Sequence, residues 1–200
     1  MVLARDGNPQ EDQPLTLLDR WLAEAEQTGV PSPRSVAFIT VGPGGGPSAR
    51  TVSLKRLEEQ SLLFTSALWT RKAKEIEANP QVALLFHWPA MGRQVHLTGK
   101  AIQAERELAL ELFDERDLGH RVQTLVSRQG EEIEDIAPLR ARHAHLMRVL
   151  EAPPDCPRDW GAIRVMVDTV EFWSESPDRM HDRLLYRRSG GEWSISRLSP

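Results

Sequence analysis

From Leu15 the apolar residues Leu15, Leu18, Leu22 and Ala25 recur at helical spacing, with Leu17 and Trp21 widening the stripe. Gly29 and Pro31 end that helix. The pattern then changes to a β-branched, apolar run, Ser35–Val41, which predicts a strand. It meets the turn-forming string GPGGGP, Gly42–Pro47, and Ala49–Lys55 reads as a second strand, so the pair predicts a hairpin. A third strand is Leu62–Ser66. Helix Thr70–Asn79 follows, stopped by Pro80, and Val82–His87 and Gln94–Ile102 are further strands. Helical segments come next around Glu105–Glu115, Gly119–Arg128 and Ile136–Glu151. A proline-rich link, Pro153–Pro157, leads to Ile163–Trp173, Arg183–Arg187 and Trp193–Arg197, all strand-like.

The runs go from strands to helices and back to strands, without the β–α alternation of a doubly wound parallel sheet. The expected class is mainly β with inserted helices (α+β), built as an antiparallel barrel. Residues 1–14 are polar and rich in Pro, Gly and charge, and are expected to be a mobile arm before a single domain over residues 15–200.

Composition narrows the function. The 200 residues are 40% hydrophobic and 27% charged, which is ordinary globular composition. Cys156 is the only cysteine, so no intrachain disulfide forms. No apolar run reaches membrane length and the N-terminus lacks a signal-peptide core, so a soluble, cytoplasmic protein is expected. With 25 basic against 29 acidic residues the net charge is −4, which argues against nucleic acid as a partner. The basic residues are 21 arginines and only four lysines, Lys55, Lys72, Lys74 and Lys100. Codon usage accounts for the bias, yet each lysine is worth locating because its donor geometry differs from arginine's.

Three basic clusters carry candidate chemistry. Thr70-Arg71-Lys72-Ala73-Lys74 sets three cations at a helix start, against the helix dipole. An anion at that start would explain them, with free N–H groups, the Thr70 hydroxyl and the side chains converging on a phosphate. A merely solvated helix would explain them equally well. Arg50 and Lys55 lie five apart on the strand RTVSLK, on opposite faces unless the strand bends. Arg179, His181 and Arg183 would share one face of an extended run, and such a set suits an anionic or electron-rich ligand.

Other motifs fail. GPGGGP lacks the Gly-Lys-Ser/Thr ending of a phosphate loop and precedes a strand, so it reads as a plain turn. His143 and His145 point apart on a helix, and His87 and His96 have no partner at ligand spacing, so no metal site is expected. No Gly-x-Ser-x-Gly occurs, and Cys156 in its proline-rich link reads as inert.

Taken in order, RTVSLK (Arg50–Lys55), TRKAKEIEANPQVALLFHW (Thr70–Trp88), RQVHLTGKA (Arg93–Ala101), VSRQ (Val126–Gln129), EFW (Glu171–Trp173), RMHDRLLY (Arg179–Tyr186) and the ending WSISRLSP resemble the pyridoxamine 5′-phosphate oxidase family. The likeness runs from about Ala37 to Pro200. It implies a split β-barrel homodimer with FMN at the subunit interface, and it gives the basic helix start its anion, the FMN phosphate. Arg50, Val52, Leu54, Lys55, Thr65, Ser66, Thr70, Arg71 and Lys72 would bind FMN from one protomer. Gln94, Gln129, Trp173 and Arg183 would come from the other. The implied reaction oxidises pyridoxine or pyridoxamine 5′-phosphate to pyridoxal 5′-phosphate, with O₂ reoxidising the flavin and H₂O₂ released. Arg179 and His181 would be catalytic, and Lys55, Arg116, His120, Arg179, Met180 and His181 would line the substrate site.

The chain departs from that pattern in four places. Leu112 stands where the family usually has a tyrosine, His120 where it has a small hydroxyl residue, Gly130 where it has a serine, and Trp69 where glycine is common. The alternatives that follow are a related FMN oxidase of the same fold acting on another substrate, such as a dihydrophenazine, and a non-catalytic flavin-binding protein. Retention of Arg179 and His181 speaks against the second.

Overall fold

The computed structural model describes residues 13–200. Helix α1 (Pro14–Gln27) starts at a proline, which lacks only an N–H that the first turn leaves unbonded anyway. Pro14 is thus a buried helical residue rather than part of an arm, and residues 1–12 lie outside the described residues. The helix buries Leu15, Leu18, Trp21, Leu22 and Ala25, the stripe that its spacing predicts. Trp21 meets Phe172 edge-on at 5.0 Å and Trp88 at 6.4 Å.

Strands β1 (Ser35–Val41) and β2 (Pro47–Ser53) form the expected hairpin, antiparallel with Phe38 opposite Arg50. The glycine-rich string is its turn, closed by Gly42 N–H to the Gly46 carbonyl at 3.0 Å. A short strand β3 (Arg56–Leu57), too brief to leave a hydrophobic period, precedes β4 (Ser61–Ala67). Helix α2 (Arg71–Ala78) leads into β5 (Gln81–Trp88), which pairs antiparallel with β6 (Arg93–Gln103) through a 3-10 turn, Pro89–Met91. Helices α3 (Arg106–Asp114), α4 (Leu118–Val126) and α5 (Ala137–Val149) follow, and then β7 (Trp160–Ser174), β8 (Asp182–Ser189) and β9 (Glu192–Leu198).

The strands make one nine-stranded sheet in the order β2-β1-β5-β6-β7-β4-β3, with β8 on β7 and β9 on β8. The 15-residue strand β7 therefore serves three partners along its length. Close passage of β6 and β7 demands a glycine: a Cβ on Gly99 would lie 2.0 Å from the Met166 carbonyl oxygen.

The chain forms two compact units. The first takes residues up to Phe64, Glu75–Ile102 and Arg164–Pro200, and the second takes Thr65–Lys74 and Gln103–Ile163. In the first, Phe38 and Phe64 meet at 5.2 Å, and Phe172 and Tyr186 at 5.8 Å, within a core that includes Val36, Leu84 and Phe86. In the second, Phe113 of α3 packs edge-on against Trp160 at 4.9 Å over Ala109, Leu112, Val122 and Val126. Helix α5 buries none of its side chains within the chain. Among the described residues no helix is long and apolar enough to cross a membrane, and no cluster of His, Cys, Asp or Glu could hold a metal.

Candidate functional site

In the second unit, the end of β4 turns through Leu68–Thr70 into α2. Thr70 takes the capping position, its carbonyl accepting the Lys74 N–H at 3.1 Å. Its hydroxyl donates to the Ala67 carbonyl at 2.7 Å and lies 2.9 Å from the Ser66 hydroxyl, which tightens the turn. Ser66, Thr70 and Lys72 are all buried, whereas Arg71 and Lys74 face outward. No acidic residue stands in the first turn of α2. A buried ammonium at the positive end of a helix opposes the dipole and costs desolvation. Ser66, Thr70 and Lys72 thus set hydroxyl and ammonium donors at one turn, a donor set that fits the phosphate end of a flavin nucleotide.

The same unit gathers Thr65, Ser66, Arg116 and Gln129 around one cavity of about 70 Å³, walled by Trp69 and Trp160. Those four polar residues come from β4, the α3–α4 turn and the segment after α4, and the sequence assigned each to the flavin or the substrate. Arg116 lies with its guanidinium 5.3 Å from the Trp160 ring and 5.8 Å from that of Phe113. One terminal nitrogen donates to the His120 carbonyl at 2.8 Å and to the Thr124 hydroxyl at 3.3 Å. Among the described residues its Nε is buried with no hydrogen-bond partner. Burial pushes the Arg116 pKa below its ordinary value while the Asp117 charge acts the other way. Arginine stays cationic at neutral pH even so. A half-buried cation whose buried Nε is an unused donor beside a cavity is suited to an anionic ligand.

His120 is placed differently. Its imidazole Nδ1 lies 2.5 Å from an Asp117 carboxylate oxygen, its side chain is 69% exposed, and it does not line the cavity. Asp117 caps α4 by accepting the His120 N–H at 2.9 Å, and that N–H above all holds its carboxyl below the ordinary value. Leu112 is buried in the core of this unit. Burial pushes the Cys156 thiol above its ordinary value, which favours the protonated form.

In the first unit, Arg50 of β2 is held by four acceptors. It donates to the Phe38 carbonyl at 3.1 Å, the Thr40 hydroxyl at 2.6 Å, the Ser48 hydroxyl at 2.5 Å and Glu75 at 3.4 Å. Glu75, on α2, is itself buried and also accepts from Thr40 at 2.5 Å and Ser48 at 2.6 Å. Strand β2 ends at Ser53, so Arg50 and Lys55 do not share a regular strand. Beyond it Leu54 N–H bonds the Arg34 carbonyl and Lys55 N–H the Leu63 carbonyl, both at 2.9 Å. Val52 is half-buried, Leu54 is buried in the core and Lys55 is exposed. A ligand could therefore meet Leu54 only through its backbone.

Trp173 of β7 lies directly opposite Arg183 of β8, and its ring packs 4.8 Å from that of His181. Glu171 grips Arg183 from the same strand, with Nε to carboxylate at 2.8 Å, while Arg183 also donates to the Ser199 carbonyl at 3.1 Å. His181 Nδ1 accepts the Ser176 N–H at 3.2 Å, which in the neutral ring leaves the proton on Nε2. The cluster Arg179–Arg183 lies between two strands and enters the second, as its position in the sequence led one to expect, and does not form the extended run in which Arg179, His181 and Arg183 would share a face. Residues 175–181 make a turn before β8, and Arg179 sits in the left-handed region at φ 65°. Asp178 shapes that turn by accepting from the Ser176 hydroxyl at 2.5 Å and the Met180 N–H at 2.9 Å, and these bonds hold its carboxyl below the ordinary value. Arg179 and Met180 are exposed at its tip. Gln94 is half-buried on β6, opposite His87.

The sequence reading missed Glu75 and Asp178. An acid inside a helix gives no sign that it is buried, but Ser176-Pro177-Asp178 is a recognisable turn string.

Residues 22–152 match the family described as "Pyridoxamine 5'-phosphate oxidase", and residues 160–200 match the "Pyridoxine 5'-phosphate oxidase C-terminal dimerisation region". A protein of Rubrobacter xylanophilus named pyridoxine/pyridoxamine 5′-phosphate oxidase is 40% identical over 199 residues, covering 99% of this chain and 91% of that one. A protein of the same name from Paraburkholderia xenovorans is 36% identical, over 98% and 92%. Among solved structures, PhzG from Burkholderia lata, in complex with tetrahydrophenazine-1-carboxylic acid, matches with TM-score 0.90 and 30% identity, over 98% of this chain and 95% of that one. A pyridoxamine 5′-phosphate oxidase-related, FMN-binding protein from Nostoc punctiforme shares the fold at TM-score 0.79 and 17% identity, over 95% and 100%. The chain therefore belongs to the pyridoxamine 5′-phosphate oxidase family and has its antiparallel split-barrel fold, as its motifs led one to expect.

Proposed function

We propose that the protein is a cytoplasmic, homodimeric FMN-dependent oxidase that converts pyridoxine or pyridoxamine 5′-phosphate to pyridoxal 5′-phosphate. The observation that carries this reading is the meeting of Thr65, Ser66 and Arg116 of one chain at one cavity, where, among the described residues, an Arg116 donor is buried and unused. Bound FMN supplies the two-electron acceptor, and O₂ takes those electrons on to H₂O₂. With pyridoxine 5′-phosphate the balance is alcohol plus O₂ to aldehyde plus H₂O₂. With pyridoxamine 5′-phosphate one water is consumed and ammonia leaves.

The protein's part is binding and orientation. Thr70, Arg71 and Lys72 hold the cofactor phosphate, with Arg50, Val52, Leu54, Lys55, Thr65 and Ser66 as further cofactor residues. Gln94, Gln129, Trp173 and Arg183 serve the cofactor from the other protomer. Arg116 takes the substrate phosphate together with Lys55, and Arg179, Met180 and His181 meet the substrate ring. With Nδ1 occupied by the Ser176 N–H, His181 has Nε2 left to hold or pass a proton.

A second reading is a related FMN oxidase acting on a dihydrophenazine. Two observations favour it: Leu112 puts a buried aliphatic side chain where a phenol would bind phosphate, and the fold matches PhzG closely. His120, turned to Asp117, does not replace the missing hydroxyl. The deciding experiment is O₂ uptake by FMN-loaded protein. Turnover of pyridoxine or pyridoxamine 5′-phosphate is expected. Failure with both while yellow flavin stays bound, and turnover of a dihydrophenazine carboxylate, would transfer the assignment to the second reading.

A further inference from the structure

Trp69 is the residue of the second unit whose placement the roles above leave unexplained. It is only half-buried, unlike the core indole of Trp160. Its indole N–H donates to the Gln129 carbonyl at 3.3 Å, and its ring lies 4.5 Å from the Arg128 guanidinium. Among the described residues, that bond is the only hydrogen bond Gln129 makes. Gln129 follows α4 in an irregular segment that runs to α5, and its side chain is exposed. Arg128 and Glu131 close the turn around it, with Arg128 Nε donating to the Glu131 carboxylate at 2.7 Å and Glu131 N–H to the Arg128 carbonyl at 3.1 Å.

The other end of this contact is rigid. Leu68 N–H donates to the Asp159 carbonyl at 2.8 Å. A Cβ on Gly161 would meet a Leu68 methyl at 2.7 Å, so the turn before α2 lies flat on the start of β7. On its far side Thr70 is fixed by the Ala67 carbonyl. A hydrogen bond to a backbone carbonyl and a cation–π contact together fix both the height and the lean of the Arg128–Gln129 turn.

We propose that Trp69 is a positioning residue: it pins the Arg128–Gln129 turn to the rigid turn before α2 and so sets where the Gln129 amide stands for flavin binding. This rests on the flavin role proposed for Gln129. Trp69 acts through Gln129, so its effect vanishes once that amide is removed.

The test is a double-mutant cycle on the flavin-free full chain, titrated with FMN by fluorescence quenching. One hydrogen bond and one cation–π contact correspond to about a tenfold rise in Kd for Trp69→Leu, and about threefold for Trp69→Phe, which keeps the ring over Arg128. Gln129→Ala should weaken FMN at least as much as Trp69→Leu, and adding either Trp69 substitution to Gln129→Ala should change Kd less than about twofold. Independent losses in the double variant overturn the proposal, because a merely structural tryptophan would add its cost. A Trp69→Leu chain that binds FMN like the parent, beside a weakened Gln129→Ala, overturns it too. If Gln129→Ala itself leaves Kd unchanged, the flavin role of Gln129 fails first and the proposal with it. Should Trp69→Leu not fold, the Trp69→Phe arm closes the same cycle.

Discussion

Glu75 is a buried carboxylate that Arg50, Thr40 and Ser48 reach from the β1–β2 hairpin. Thr40 is fully buried, and its hydroxyl also accepts from Arg50. Removing the carboxylate leaves a buried hydroxyl short of a partner and a guanidinium short of its countercharge. Because Arg50 keeps some exposure, water screens part of that loss, so Glu75→Ala should cost about 2–3 kcal/mol, with Glu75→Gln recovering part of it. Urea unfolding reads this directly, and a midpoint unchanged in Glu75→Ala would take the pair out of the fold's support. Arg50 was legible as a site residue because it opens a family motif. Glu75 was not, because sequence records neither depth nor which strand a helix faces.

At the scale of elements, the hairpins, the three inserted helices and the last three strands follow from hydrophobic period and breaker residues, with ends displaced by a residue or a few. What periodicity could not give is how closely two strands pass. Gly99 reads in sequence as a weak spot in a strand, yet a methyl there would sit 2.0 Å from the Met166 carbonyl oxygen on β7. Backbone must move to admit it, so Gly99→Ala should destabilise the fold by about 3 kcal/mol. A thermal midpoint within a degree or so of the parent would mean that β6 and β7 can separate there at no cost. The turn at 175–181 makes a related point. The residues of RMHDR would share a face only in an extended run, but Asp178 accepts the Met180 N–H and Arg179 takes a positive φ that a strand would not impose. Arg179 and His181 are thereby presented by a turn, not by one strand face.

For the whole molecule, the C-terminal 160–200 region matches a dimerisation region, and it contains Trp173, Arg183, Arg179 and His181. On the proposed reading, cofactor residues are divided between two protomers, and neither chain alone holds a full set. Dilution through the dimer dissociation range should then release FMN in step with monomer formation, followed by gel filtration at the flavin absorbance band. Flavin travelling with a monomer would break the shared-site proposal. The net charge of −4 is no obstacle to two phosphorylated ligands. Net charge governs partners as long as a nucleic acid, whereas a small anion responds to a few local cations and donors.

Sequence by itself determined the order and type of the elements, the family and the residue types available for phosphate, because period, breakers and motif strings are local properties of a chain. Only the tertiary structure decided which of those residues meet. Packing brought Arg116 and Gln129 to Thr65 and Ser66, turned His120 away to Asp117, buried Glu75 against Arg50 and set Trp69 on the carbonyl of Gln129. Apart from the His120–Asp117 pair, three residues apart at a helix start, each of these depends on the path of the chain between residues far apart in sequence, which no local pattern encodes.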